Sequence, residues 1–339
     1  MMNLIPDDQQ QQISDLASDF LRRELPLSRL HHGASRPSAI EVRRAFAELG
    51  WFAIALPEER GGAGFGVVEE VLIFRQIGHV IGPVAPIAIV LAAKLADSAG
   101  LCGLRDRLVS GDAGAALAIA EAPLCLAGKN VSGIARVYGV EEAACALVEV
   151  GDETLLLDTA GETLSHIAWL DQGTAVARVD LFGLPILARA SAIPTRINGA
   201  LLTSAMLVGL SEGAAAMITE YAKIRETFGR KIGAYQAVRH PIAEAAARCE
   251  HAKALLYFAA LAVAGKREDA DLQVRSAKVV AHRAATQNAD INIQLHGGIG
   301  ITDDLAAHHF MKRALMLAPW FGSRKANLDA LLDAPLLTI

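Results

Sequence analysis

Residues 225–238 read RETFGRKIGAYQAV, and residues 294–301 read QLHGGIGI. Both stretches lie at the ends of long segments in which apolar residues recur at helical spacing. The sequence places such segments at 201–224, 236–264, 271–295 and 305–317. Glycines in the two stretches allow the chain to turn sharply where a helix stops. The pattern therefore predicts a C-terminal four-helix bundle.

The first third of the chain also has helical spacing. Ile13, Leu16, Phe20 and Leu21 recur at intervals of three and four residues, and a second run of this kind stops at Gly50. These intervals predict that the first domain is all-helical. We expect residues 1–112 to form an N-terminal helical domain.

The middle of the chain has the shorter patterns of β-strands. Residues 146–150 and 154–157 are apolar runs on either side of a Gly-Asp turn, which predicts a hairpin. Residues 174–181 alternate and predict another strand. The sequence thus predicts a mainly α fold with a small, degenerate middle β domain at 113–196 and a C-terminal helical bundle at 197–339.

The charge distribution argues against a nucleic-acid surface. Residues 212–339 hold 16 Lys and Arg against 13 Asp and Glu, whereas residues 1–211 hold 16 against 24. The C-terminal part is therefore only slightly basic. This small surplus is insufficient for a nucleic-acid surface, although it can accommodate a phosphate-bearing cofactor.

Other features of the composition favour a cytoplasmic protein. The longest uncharged stretches, 80–93 and 197–211, are shorter than the roughly 18 apolar residues of a membrane span. The N-terminal segment predicts a helix start rather than a targeting peptide. The four cysteines have no Cys-x-x-Cys spacing, which suits a reducing compartment and argues against a zinc site.

The histidine pairs invite a metal-binding interpretation. His31-His32 and His308-His309 are adjacent residues, and adjacent side chains on a helix point about 100° apart. No carboxylate or cysteine follows either pair three or four residues later along the chain. We therefore expect no metal site.

Arg225 has the chemistry to bind a pyrophosphate. A guanidinium at a helix end offers two parallel donors to an anion, and the free N–H groups at the start of the next helix can face the same anion. Gly297-Gly298 would let the backbone approach a ligand closely because neither residue has a Cβ. The alternative for the Arg225 segment alone is a solvent-facing helix stop.

These motifs, together with LPEERGGAG at 56–64 and Glu69-Glu70, resemble the acyl-CoA dehydrogenases at both ends of the chain. The resemblance implies a flavoprotein that uses FAD for the α,β-dehydrogenation of an acyl-CoA thioester. It also implies a set of cofactor-binding residues, namely Arg225, Thr227, Phe228, Gln236, Gln294, Gly297 and Gly298. In the family, this part of the chain reaches across a dimer interface to the neighbour's flavin.

The resemblance fails where the catalytic glutamate is expected. Phe321, 27 residues after Gln294, stands at one of the two positions that the family uses for its base, and Gly199, 26 residues before Arg225, stands at the other. Neither side chain can accept a proton. No Asp or Glu occurs at 305–328 or 181–211, so a shift of a few residues in register restores neither position.

The middle domain also departs from the family pattern. The loop that helps to seat flavin and substrate is represented at best by residues 120–123, which read AEAP. The tryptophan-containing flavin loop has no counterpart, and Trp169 is interpreted as a core or surface aromatic. The chain is thus expected to lack the half-site that holds the flavin ring.

Three hypotheses follow. The leading hypothesis is a non-catalytic subunit of a heteromeric acyl-CoA dehydrogenase, similar to the short subunits of the α2β2 enzymes that act on steroid side-chain CoA thioesters. Its implied partners are a catalytic subunit carrying the glutamate, an acyl-CoA substrate at the complex, and electron-transfer flavoprotein as acceptor. The alternatives are an autonomous homomeric dehydrogenase with an unplaced base, and a scaffold without redox activity.

Overall fold

The computed structural model describes residues 4–128, 130–160, 166–171 and 173–334. Its helices are α1 (Asp8–Glu24), α2 (Ala39–Glu48), α3 (Val67–His79), α4 (Ala85–Ser98), α5 (Cys102–Val109), α6 (Ala192–Ile224), α7 (Gln236–Ala264), α8 (Ala270–His296), α9 (Ala307–Leu317) and α10 (Arg324–Leu332). Its strands are β1 (Gly114–Ala120), β2 (Cys125–Ala127), β3 (Asn130–Ser132), β4 (Ile134–Tyr138), β5 (Ala143–Val150), β6 (Glu153–Asp158), β7 (Val176–Asp180), β8 (Ile186–Ser191), β9 (Glu226–Thr227) and β10 (Arg230–Lys231). The predicted fold class, mainly α with a small middle sheet, is confirmed.

The first helix begins at a capping box. The Asp7 side chain accepts a hydrogen bond from the Gln10 N–H, and the Gln10 side chain accepts one from the Asp7 N–H. The buried side of α1 consists of Ser14, Ala17 and Leu21. Leu16 is 71% exposed, because the small residues Ser14 and Ala17 occupy the packed side of the helix.

Two helices cross at a contact made by glycines. Gly78 of α3 lies against the backbone of Met206 in α6, and Gly209 of α6 lies against the backbone of Arg75 in α3. A Cβ at either glycine would overlap the main chain of the other helix. The absence of side chains at these positions therefore allows the two backbones to pack directly.

The strands of the middle region form a six-stranded mixed sheet in the order β7-β4-β1-β5-β6-β8. Strands β1 and β5 are parallel, and the other neighbours in this sheet are antiparallel. The predicted hairpin is confirmed as β5 and β6, and the predicted strand at 174–181 is confirmed as β7. Apolar residues of the central strands, such as Val148 and Leu155, form the core of this region.

The bundle helices largely match their predicted ranges. Helix α7 has the predicted bounds, while α8 is longer by one residue at each end and α9 starts two residues later than expected. Helix α6 begins at Ala192, well before residue 201, and includes Pro194. A proline is tolerated in a first helical turn because the N–H that it lacks would have no partner there.

Helix α6 is also long and apolar enough to cross a membrane by length and composition alone. However, 83% of its most apolar window is buried inside the protein, which is typical of a core helix. Its apolar surface is thus covered by other parts of the chain rather than left for lipid.

The chain divides into two compact units, each made of separate segments. One unit contains residues 1–36, 67–82 and 200–339, and the other contains residues 37–66 and 83–199. The predicted boundary at 196/197 falls inside α6, which runs from one unit into the other. The three-domain division made from the sequence stays a prediction.

Candidate functional site

The segment after α6 is a tight two-stranded turn. Thr227 pairs with Arg230, and the two residues between them, Phe228 and Gly229, have φ angles of +50° and +77°. Positive φ at both central positions is the geometry of a type I′ hairpin, which Gly adopts freely and Phe does not. The Tyr235 hydroxyl donates a hydrogen bond to the Thr227 carbonyl at 2.9 Å, which stabilises the turn.

Arg225 has a fixed backbone and a free side chain. Its N–H donates to the Tyr221 carbonyl at 2.9 Å, and its carbonyl accepts from the Ile232 N–H at 2.8 Å. Within the described residues, its exposed guanidinium has no hydrogen-bond or ion-pair partner. The side chain can therefore bind an external anion without breaking an internal contact.

The second motif lies at the end of α8. The helix stops at His296, Gly297 follows with a φ of +69°, and Gln294 is exposed. His296 is buried, its Nδ1 is 2.7 Å from the Asn292 carbonyl, and its ring stacks on Tyr221 at 4.3 Å. Burial lowers the pKa of His296, so the ring is neutral at pH 7.

The contact between His296 and Tyr221 brings the two motifs together. Tyr221 lies one helical turn before Arg225, and His296 lies directly before Gly297. Packing of the two rings thus places the turn at 225–231 and the Gly-Gly segment on the same part of this unit. His296 therefore packs as a structural residue between the two motifs.

The residues of this surface fit a phosphate-bearing cofactor such as FAD. A Cβ built on Gly297 or Gly298 would meet nothing within 4 Å, so both glycines border open space. Gln236, the first residue of α7, is exposed, and Phe228 is 98% exposed. A free guanidinium, bare backbone and an apolar ring on one surface suit a ligand with a pyrophosphate and a flat heterocycle.

The position of the expected base holds a buried aromatic ring. Phe321 is 9% exposed, with a φ of +52°, and Gly322 follows with a φ of +116°. This backbone is held by Lys278 of α8, whose Nζ donates to the carbonyls of Ala318, Trp320 and Gly322. At this position the phenyl ring therefore replaces any group that could accept a proton.

Lys278 was missed by the sequence analysis. It is 2% exposed and lies in a stripe of α8 that also buries Val274, Ala277 and Ala281. A lysine at a position with apolar helical spacing is a usable signal, because a buried ammonium needs acceptors close by. Burial lowers its pKa to about 7.

The second possible base position also holds no carboxylate. Gly199 is buried within the first part of α6.

In the loop after β1, the Glu121 carboxylate is paired with Arg136 at 2.9 Å and with Arg178 at 3.0 Å. This carboxylate therefore bridges arginines at the sheet instead of facing a ligand.

Trp169 packs against its own unit, in agreement with the sequence-based interpretation. The Arg136 guanidinium lies over its ring, 4.8 Å from the centroid, and the Tyr138 ring meets it edge-on at 6.2 Å. These contacts give the indole a structural role in the β region.

A carboxylate that precedes the helix lies beside the His308-His309 pair. Asp303 Oδ1 is 3.5 Å from His308 Nε2, because the chain turns between them. The candidate ligand atoms of Asp303, His308 and His309 lie within 4.8 Å of one another. Ligands of a bound zinc ion lie roughly 3.3 Å apart, given tetrahedral bonds of about 2.0 Å. An upper bound of 4.8 Å is compatible with a zinc site and with an unrelated cluster alike, and the absence of a metal stays a prediction.

Two models of one protein family match the chain. The N-terminal domain of acyl-CoA dehydrogenase matches residues 7–100, and the C-terminal domain matches residues 195–334. Among curated relatives, acyl-CoA dehydrogenase FadE34 of Mycobacterium tuberculosis is 30% identical over 83% of this chain. This chain spans only 40% of the length of that relative.

Solved structures of two-protein complexes also resemble the chain. A chain of the ChsE4-ChsE5 complex from Mycobacterium tuberculosis is 25% identical, with a TM-score of 0.85 over 98% of this chain and 100% of that one. A chain of the Tcur3481-Tcur3483 steroid acyl-CoA dehydrogenase variant is also 25% identical, with a TM-score of 0.84 over 96% and 97%. Together with the two domain matches and the surface at Arg225 and Gly297, these similarities show that the chain belongs to the acyl-CoA dehydrogenase family.

Proposed function

We propose that this chain is a non-catalytic subunit of a heteromeric acyl-CoA dehydrogenase. It contributes Arg225, Thr227, Phe228, Gln236, Gln294, Gly297 and Gly298 to an FAD site that a catalytic partner completes. The partner supplies the glutamate that removes the α-proton of the acyl-CoA. FAD, when bound, supplies the acceptor for the β-hydrogen.

One observation supports the proposal. The exposed residues around Arg225 and Gly297 form a surface that suits a cofactor, whereas Phe321 lies at the position where the base is expected. In the described structure, the exposed groups of that surface are not engaged by the chain itself. A ligand or a second chain that covered these groups would also bury the Phe228 ring. Exposing this apolar ring to water is unfavourable in free energy for the isolated chain.

Each residue of this surface would have a distinct role in binding the cofactor. Arg225 would bind the pyrophosphate with two parallel N–H donors, and the bare backbone of Gly297-Gly298 would allow close approach of the ligand. Phe228 would lie against an apolar part of the cofactor or partner and exclude water from the ion pair. None of these groups moves a proton, so the chemistry of the thioester is left to the partner.

The relatives support a proposal for the substrate and the setting. One similar structure is a steroid acyl-CoA dehydrogenase, and we propose a steroid side-chain CoA thioester as substrate. We also propose electron-transfer flavoprotein as the acceptor and the cytoplasm as the location. Related enzymes of this family are flavoproteins, which fits a complex that passes electrons from substrate to a carrier.

The experiment that tests the proposal measures the flavin content of the complex. The chain is co-expressed with a candidate catalytic subunit that has an intact glutamate motif, and released flavin is quantified by absorbance against total protein. We expect one flavin per pair of chains, two in an α2β2 tetramer, because only one complete site forms per pair. A ratio of one flavin per chain would show that this subunit has a complete site of its own.

A further inference from the structure

A groove of about 330 Å³ lies between α7 and α8, apart from the proposed FAD surface. It is lined by Arg248, His251, Val280, Arg283, Ala284 and Gln287. Three of these side chains are basic, one is an amide, and none of the described lining residues is acidic. Basic side chains of the two helices thus face the same groove, whose other lining residues are Val280, Ala284 and Gln287.

The orientation of Arg248 is fixed by a buried polar network. Its Nε donates to Asn288 Oδ1 at 2.9 Å. The Asn288 amide nitrogen in turn donates to Ser211 Oγ at 2.7 Å and to the Ala245 carbonyl at 3.0 Å. Because both ends of the asparagine are engaged, the plane of the guanidinium is set before any ligand arrives.

The rest of that guanidinium is poorly satisfied. Among the described residues, the buried Nη2 of Arg248 has no hydrogen-bond partner, and Nη1 reaches only the largely exposed Glu244 at 3.6 Å. A buried donor without an acceptor costs free energy, and the cost is larger for a charged group. Arg248, which lines the groove, therefore carries a buried donor that the described structure leaves unsatisfied.

The remaining cation of the groove has no internal counter-charge. Within the described part of the chain, the exposed guanidinium of Arg283 forms no ion pair. Two guanidiniums that face one groove repel each other, and an anion between them would remove this repulsion. The Gln287 amide and the His251 ring add donors beside the same space.

We propose that this groove binds an oxyanion of the phosphate class. Arg248 and Arg283 would hold it from opposite helices, with Gln287 and His251 as further donors. Guanidinium forks suit tetrahedral and planar oxyanions and do not suit chloride, which cannot accept two parallel bonds.

The groove is distinct from the surface proposed for FAD. Gln287 precedes Gln294 by two helical turns on the same side of α8, which is roughly 10 Å along the axis. Arg248 lies 12 residues after Gln236 along α7, which is roughly 18 Å. The two sites can therefore be separated by mutation.

The test is a titration of the full chain with inorganic phosphate against chloride at matched ionic strength, followed by thermal unfolding. Phosphate stabilises most folded proteins to some extent, so the readout is the difference between the protein and its variants. We expect a saturable rise in melting temperature as phosphate is added. In Arg283→Gln, the phosphate concentration at half-saturation should be at least about tenfold higher, which is the usual effect of losing one charged hydrogen bond. Arg283 is exposed, so this variant is expected to fold.

Two further variants locate the binding. Arg225→Ala should retain the phosphate response, whereas its loss would assign the anion to the FAD surface. Arg44→Gln removes a similar exposed charge on α2 and should also retain the response. An equal response in Arg283→Gln, or a response no greater than that to chloride in the unmodified chain, would overturn the proposal.

Discussion

At the scale of single residues, two side chains carry most of the functional argument. Among the described residues, the Arg225 guanidinium has no internal partner, while hydrogen bonds hold its backbone from both sides. Phe321 lies where the sequence places one of the two possible base positions, and the buried Lys278 holds the loop around it. In the proposed function, Arg225 binds the cofactor and Phe321 leaves proton transfer to the partner.

Arg225→Ala should weaken flavin retention by the assembled complex. Loss of a charged hydrogen bond costs about 1.5 to 3 kcal/mol, which corresponds to roughly a tenfold to hundredfold higher Kd. Flavin fluorescence during dilution of the complex measures this Kd. Lys231→Ala, which removes a neighbouring positive charge already paired with Glu226, is the matched control and should change the Kd little. Equal Kd values for the two variants would contradict the assignment of Arg225.

Lys278→Met should destabilise the unit that contains it. The change leaves the buried carbonyls of Ala318, Trp320 and Gly322 without their donor, at a cost of about 2 to 4 kcal/mol in unfolding free energy. Urea denaturation of both proteins measures the difference. A stability equal to that of the unmodified chain would show that the lysine does not hold this loop.

Lys278 also predicts a pH dependence. Burial lowers its pKa to about 7 from 10.5, so between these values the unfolded state binds more protons than the folded state. Stability should therefore rise with pH over this range through Lys278, and Lys278→Met should lack that part of the rise. Denaturation at several pH values from 7 to 10 tests this, and parallel curves for the two proteins would count against it.

At the scale of elements, the fold depends on how closely helices approach each other. Helices α3 and α6 cross through glycines, and turns with positive φ end α6 and α8. The crossing sets the position of α6, whose last turn carries Tyr221. The ring of Tyr221 then orders the Gly-Gly segment through His296.

Gly209→Ala should destabilise the protein strongly. The added methyl would overlap the Arg75 carbonyl, and separating two packed helices costs about 1 to 3 kcal/mol or more. Gly103→Ala in α5 is the matched control, because its Cβ would meet nothing within 4 Å. Removing that helical glycine should leave stability unchanged or raise it by up to about 1 kcal/mol. Thermal unfolding distinguishes the two outcomes, and similar melting temperatures would contradict the close crossing.

At the scale of the whole molecule, the proposed function assigns cofactor binding to this chain and proton transfer to a partner. The surface at Arg225 is intact, while the carboxylate at Glu121 bridges Arg136 and Arg178 in the β region. This combination is expected for a protein that functions as one part of a complex.

The isolated chain should not oxidise acyl-CoA thioesters. A positioned general base contributes about 10² to 10⁴ in rate, and an incomplete flavin site would lower the rate further. Reduction of an artificial electron acceptor, measured with and without the catalytic partner, tests the expectation. Turnover by the partner-free chain would favour the autonomous dehydrogenase instead. Within the complex, Phe321→Ala should leave much of the activity intact.

Much of the secondary structure could be predicted from local sequence patterns. Helix α7 has its predicted bounds, and the β5–β6 hairpin lies where the Gly-Asp turn indicated, because spacing and turn chemistry act over a few residues. The family motifs were visible for the same reason, since each is a short string of residues. The cofactor-binding roles and the missing base stay predictions.

Contacts between distant parts of the chain could not be read in this way. The packed side of α1 excludes Leu16, Asp303 reaches His308 through a turn, and Lys278 finds three carbonyls 40 to 44 residues away. The anion groove likewise needs Arg248 and Arg283 from two helices. Such sites arise from the packing of separate elements, which local spacing does not encode, because side chains far apart in sequence become neighbours only once the helices have docked.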